Sequence, residues 1–128
     1  MISTTALKTF KALGAAGAVA FAMTTGAMAD GGKVKIGLIT TLTGGGAALG
    51  VDIRDGFLLG IKQAGNDGIE VVVQDDQRKP DIAVQAADKM IQSEKVDIMT
   101  GIVWSNLALA VAPATTAQGK FYISPNAG

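Results

Sequence analysis

From Lys33 onward, short Val/Ile-rich runs alternate with longer segments whose apolar residues repeat at helical spacing, and this order constrains the fold more than any other feature of the chain. Lys33 to Thr40 reads as a strand with Val34, Ile36 and Leu38 on one face and Ile39 on the other, as expected of a strand covered on both sides. Ala47 to Ala64 reads as a helix with Ile53, Phe57, Leu58 and Ile61 inward and Arg54, Asp55, Lys62 and Gln63 outward, ended by the turn Gly65 to Gly68. A strand from Ile69 to Gln74, a polar turn and a helix from Ile82 to Ser93 follow. Asp81 is its predicted N-cap, and Ala83, Val84, Ala87, Met90 and Ile91 its buried stripe. A strand from Val96 to Gly101, a helix from Asn106 to Gln118 and a strand from Phe121 to Ser124 complete the order. Pro113 should kink the last helix or start a second one. The βαβαβαβ order predicts an α/β fold, a parallel sheet flanked by helices on both faces through right-handed crossovers. Ligands of such sheets bind beyond the carboxyl ends of the strands, which directs attention to Thr41 to Gly50, Asp75 to Pro80, Val103 to Asn106 and Ser124 to Gly128.

Residues 1–29 have a different character. Lys8 and Lys11 precede an apolar run from Ala12 to Met23 and the small-residue triplet Ala27-Met28-Ala29, the layout of a secretory signal cleaved after Ala29. No twin-arginine pair precedes the run, which favours the Sec route. Asp30 stands where a lipoprotein would need cysteine, so export to a periplasm is expected. Residues 30–128 then form the mature domain. Cleavage removes two of eleven basic residues and none of the eleven acids, leaving a slightly negative chain unsuited to holding nucleic acid. The sequence contains no cysteine and no histidine, which excludes disulfides, Cys/His zinc sites, cysteine nucleophiles and Ser-His-Asp triads within it.

The glycine-rich stretch from Thr41 to Gly56 invites a nucleotide reading. Gly45 to Gly50 has Walker spacing, but Val51-Asp52 stand in place of Lys-Ser/Thr, and the dinucleotide fingerprint fails at Leu49, where its third glycine belongs. No cofactor is therefore expected. Gly44-Gly45-Gly46 either brings backbone amides close to a bound carboxylate or simply permits a tight turn, with Thr43 as ligand donor or helix cap. Asp75 and Asp76 are adjacent at a strand end and point to opposite faces, so they do not converge on one metal or bond. One is expected to be solvated, the other paired with a neighbouring amide or Arg78. In Val103-Trp104-Ser105-Asn106, Trp104 either roofs the core or packs on a ligand, while Ser105 and Asn106 either cap a helix or bind an anion.

The signal segment, "VKIGLITTLTGGGAALG", "VVVQDD" with "KP" following, "GIVWSN" and "FYISPNAG" together resemble the N-terminal lobe of the periplasmic leucine/isoleucine/valine-type binding proteins of ABC importers. The resemblance covers essentially all of residues 30–128 and implies a truncated type I periplasmic binding protein lobe. Such proteins are two-lobed clamshells that close on a ligand and deliver it to a membrane permease. It implies that a ligand carboxylate is held by Ser105 and by backbone at Asn126, Ala127 and Gly128, with Leu49 walling the pocket. Some amino-acid-binding members carry a hydroxyl residue at Gly128 to hold the ligand ammonium, and several a disulfide involving the position of Trp104; this chain has neither. Trp104, Asn106 and the Ser124-Pro125-Asn126 turn look more like members that bind aromatic or other hydrophobic carboxylates.

The function expected is therefore a non-catalytic receptor for a branched-chain amino acid or an aromatic acid, monomeric when complete. The alternative is a periplasmic sensory module of the same shape coupled to a membrane signalling protein. An exported enzyme ranks third, since the required nucleophiles and acids are not in evidence. One lobe alone is expected to bind weakly or not at all, with its open sheet edge favouring aggregation.

Overall fold

The computed structural model describes residues 32–127, so the expected signal segment and Gly128 lie outside the described residues. The elements are β1 (Val34–Thr40), α1 (Ala47–Gln63), β2 (Ile69–Asp75), α2 (Pro80–Gln92), β3 (Ile98–Gly101), α3 (Ser105–Ala117) and β4 (Phe121–Ile123). The strands form one parallel sheet in the order β2-β1-β3-β4. In register, Ile36 of β1 lies opposite Val71 on one side and Ile98 on the other, and Ile98 in turn lies opposite Phe121. The order reverses between β1 and β3, which creates a switch point at the carboxyl ends of those two strands.

Strand alternation divides the core into two unequal parts. On one face Ile39, Met99 and Val96 join Ala83, Ala87 and Met90 of α2 and Leu107 and Val111 of α3 in a sealed apolar cluster. On the other, Ile36, Leu38, Ile98 and Ile123 look across a groove of about 530 Å³ toward Ile53 and Phe57 of α1. Gly50 is the one residue of α1 that is fully buried, and Leu58 and Leu59 on its outer side are exposed. Gly50 is needed for close approach: a Cβ there would lie 1.9 Å from the Thr41 carbonyl oxygen.

Several element boundaries differ from the sequence expectation. Helix α2 begins at Pro80 rather than Ile82, with extended Lys79 as N-cap and Asp81 within the first turn. Proline is preorganised for the first helical position, where its missing N–H costs nothing, and it holds the preceding residue extended. Helix α3 begins at Ser105, with Trp104 as N-cap, and continues through Pro113 without dividing. Pro113 and Leu109 lie on the exposed side, where water can take over the carbonyl that Pro113 leaves unbonded. Strand β3 begins at Ile98 because Val96 is drawn back to α2, its N–H donating to the Met90 carbonyl.

Candidate functional site: two helix N-termini at the switch point

Helices α1 and α3 start from the ends of β1 and β3, so their N-termini meet at the switch point. The N-cap of α1 is Gly46, at φ 90°, and that of α3 is Trp104; neither provides a side-chain capping hydrogen bond, and neither helix has an acid in its first turn. Serine and asparagine at positions 105 and 106 thus sit inside the first turn of α3 instead of capping it. Thr43 does not cap α1 either, because its hydroxyl donates to Asp75 Oδ2 at 2.5 Å. Both helix ends present partial positive charge toward the same rim.

The aspartate pair at the end of β2 organises that rim. Asp75 accepts hydrogen bonds from the Leu42 amide (2.8 Å), the Thr43 hydroxyl and the Gln77 amide (2.9 Å). Burial acts to raise its pKa, but the bonds from Thr43, Leu42 and Gln77 outweigh burial and hold it below the usual carboxylate value. Asp76 is fully buried and accepts from the Thr41 hydroxyl (2.6 Å) and the Arg78 amide (2.8 Å). Neither acid is simply solvated, contrary to the sequence expectation. Aligned backbone amides and two threonine hydroxyls make paired carboxylates the better arrangement at this corner.

Trp104 links these parts. Its indole N–H donates to Thr41 Oγ1 at 2.9 Å, and the Arg78 guanidinium lies 4.0 Å from the ring centroid. The ring also presses on the start of α1: a Cβ at Gly46 would come within 2.4 Å of its Cζ2 atom. The fourth-strand loop is drawn in by Asn126, whose Nδ2 donates to the Val103 carbonyl at 3.0 Å. The Ser124 hydroxyl donates to the carbonyl of the buried Ala127. Ser105 and Ala127 line a groove of about 480 Å³ between α3 and β4, whereas Asn126 lines the groove beneath α1. Thr43, Leu49, Trp104 and Asn106 line neither groove, and Leu49 is exposed in the first turn of α1. Thr41, Asp76 and Arg78 were not singled out as site residues from sequence. A buried polar residue directly after a buried strand, as Thr41 follows β1, is the signal that could have drawn attention to them.

Among the described residues no group of three His, Cys, Asp or Glu side chains could hold a metal ion, and no helix is long and apolar enough to cross a membrane. What the arrangement can do is bind an anion at paired helix ends beside an indole ring.

Comparison with known proteins is consistent with this geometry. The periplasmic binding protein family profile matches residues 33–128. The chain belongs to that family, and its relatives place it with the branched-chain amino acid type. It is 31% identical over 116 residues to a Leu/Ile/Val-binding protein homologue of Brucella melitensis, covering 85% of this chain and 31% of that protein. Among solved structures, a solute-binding protein of an ABC transporter from Rhodopseudomonas palustris in complex with 3,4-dihydroxybenzoic acid superimposes with TM-score 0.71 at 36% identity, over 75% of this chain and 28% of that one. The branched-chain amino acid transporter substrate-binding protein LivJ from Streptococcus pneumoniae, in complex with isoleucine, gives TM-score 0.68 at 31% identity, over 74% and 29%. The chain therefore spans about three tenths of the length of these relatives. They are binding proteins of transporters, not enzymes.

Proposed function

We propose that this chain forms the ligand-binding N-terminal lobe of a periplasmic receptor that delivers a small carboxylate-bearing solute, a branched-chain amino acid or an aromatic or hydrophobic acid, to an ABC importer permease. The observation that carries the reading is the convergence of the α1 and α3 N-termini with neither side-chain cap nor first-turn acid at the switch point. An anion at such a helix end gains up to about 2 kcal/mol when partly buried, and two ends act on one carboxylate. In this reading the Ser105 hydroxyl and the backbone of Asn126, Ala127 and Gly128 hold the carboxylate, while Leu49, Asn106, Thr43 and Trp104 border the rest of the ligand. Relatives solved with isoleucine and with dihydroxybenzoate support both solute classes. A second lobe closing over the ligand would stabilise the closed state by touching it from the other side. Residues 1–29 act as a cleaved signal, and the complete receptor works as a monomer. Calorimetry of the complete mature receptor with a panel of branched-chain amino acids and benzoates tests the ligand class. Heat from either class is expected, and none from both would sink the reading.

A further inference from the structure

The Asp75-Asp76 pair and the turn that follows it have a common geometric outcome. Gln77 and Arg78 adopt consecutive left-handed conformations, at φ 51° and 59°, which residues with side chains seldom do. Asp75 and Asp76 each accept the amide two residues ahead, Asp75 from Gln77 and Asp76 from Arg78, and so hold this turn in place. The turn carries the Arg78 side chain back over the indole of Trp104. Among the described residues its guanidinium makes no ion pair, so the ring face is its partner. The ring is thereby fixed on three sides: by Arg78 on a face, by the Thr41 hydroxyl at the indole N–H, and by Gly46 against its benzo portion. Thr41 in turn is oriented by Asp76, to which it donates while accepting from Trp104.

Trp104 is the N-cap of α3, and Gly46, against which it packs, is the N-cap of α1. The indole therefore lies between the two helix ends. We propose that Arg78 is a positioning residue for the anion site, acting through Trp104 to fix the spacing of the α1 and α3 N-termini. This rests on the carboxylate reading above and adds to it a residue that does not touch the ligand. Lysine replaces arginine only in part, because an ammonium keeps the charge but lacks the planar face that stacks on the ring.

Trp104 is the only tryptophan in the sequence, so its fluorescence reports the ring without any ligand. Acrylamide quenching of this chain as wild type, Arg78→Ala and Arg78→Lys measures how accessible the ring is to solvent, and NMR titration of the complete receptor carrying the same substitutions with benzoate and with leucine measures binding. Arg78→Ala is expected to raise the quenching constant and weaken binding roughly two- to fivefold, the equivalent of an exposed cation–π contact, with Arg78→Lys intermediate in both. Unchanged quenching in Arg78→Ala overturns the proposal. So does weakened binding without a change in quenching, which would mean that the guanidinium acts on the ligand directly. Raised quenching with unchanged binding also overturns it, since the ring would then be held to no purpose at the site. A complete wild-type receptor that binds neither benzoate nor leucine removes the carboxylate reading itself, an outcome visible before any variant is compared.

Discussion

At one end of one sheet, α2 begins in a different electrostatic state from α1 and α3. The α2 corner answers its own charges: Asp81 lies in its first turn, and the preceding Asp75 and Asp76 are bonded to amides and hydroxyls of the adjoining loops. The α1 and α3 ends have no such acid, and glycine and tryptophan stand where capping residues normally would. A helix end that supplies its own anion contributes to the fold, while one that lacks it is open to an anion from outside. The two corners are tied together, since Thr43 reaches Asp75 and Trp104 reaches Asp76 through Thr41. The satisfied corner thus acts as the support on which the open one is built.

The largest effect is expected where the two corners meet. Gly46→Ala places a Cβ within 2.4 Å of the Trp104 ring at φ 90°, and is expected to destabilise the domain by about 2–4 kcal/mol through combined overpacking and backbone strain. Urea denaturation measures this, and a loss below that range would show that the ring yields easily. Next comes Ser105→Ala in the complete receptor, for which about tenfold or greater loss of carboxylate affinity is expected, in keeping with a hydrogen bond to a charged group. Its melting temperature should hardly move; a large loss of stability with unchanged affinity would instead give Ser105 a purely structural role.

Smaller effects separate the corners further. Asp81→Ala removes the acid at α2 and should cost roughly 0.3–1 kcal/mol of stability while leaving carboxylate binding alone, as paired melting and titration experiments would show. Acid affects the same corner. Because the folded pKa of Asp75 lies below its ordinary value of 3.8, the stability it contributes is fully present above that value and is lost as pH falls through the depressed folded pKa. Stability measured against pH should therefore decline less steeply at the acid end in Asp75→Asn than in the wild type.

The open corner lies beside a thinly covered surface. Leu109, Phe121 and Ile123 are exposed around edge strand β4, and the α1 face retains its apolar groove.

The element order was readable because Val/Ile runs such as Val71 to Val73 and the helical spacing of Ala83, Ala87, Met90 and Ile91 are local signals. The start of α3 was misplaced by one residue because its N-cap is tryptophan, which carries none of the usual capping chemistry. Pro80 was available as a start signal for α2, yet the nearby Asp81 resembled a cap. The network that shapes the site was not readable. Thr41 meets Asp76 across 35 residues and Trp104 across 63, and residue types alone do not specify partners at such separations. Family resemblance nominated Ser105 and the loop at Asn126, but the absence of caps on both α1 and α3 emerged only from backbone geometry.

The central claim is that the α1 and α3 N-termini are kept open for a carboxylate. Asn106→Asp tests it most directly, because it gives α3 a first-turn acid and makes its end like that of α2. NMR titration of wild type and variant with benzoate and leucine would follow the amides of Ala47, Ser105 and Asn106 even at millimolar affinity. These amides are expected to shift in the complete wild-type receptor, and the same receptor with Asn106→Asp, folded and at least as stable to heat, is expected to lose the response. Equal shifts in the two proteins, or wild-type shifts confined to other parts of the chain, would contradict it.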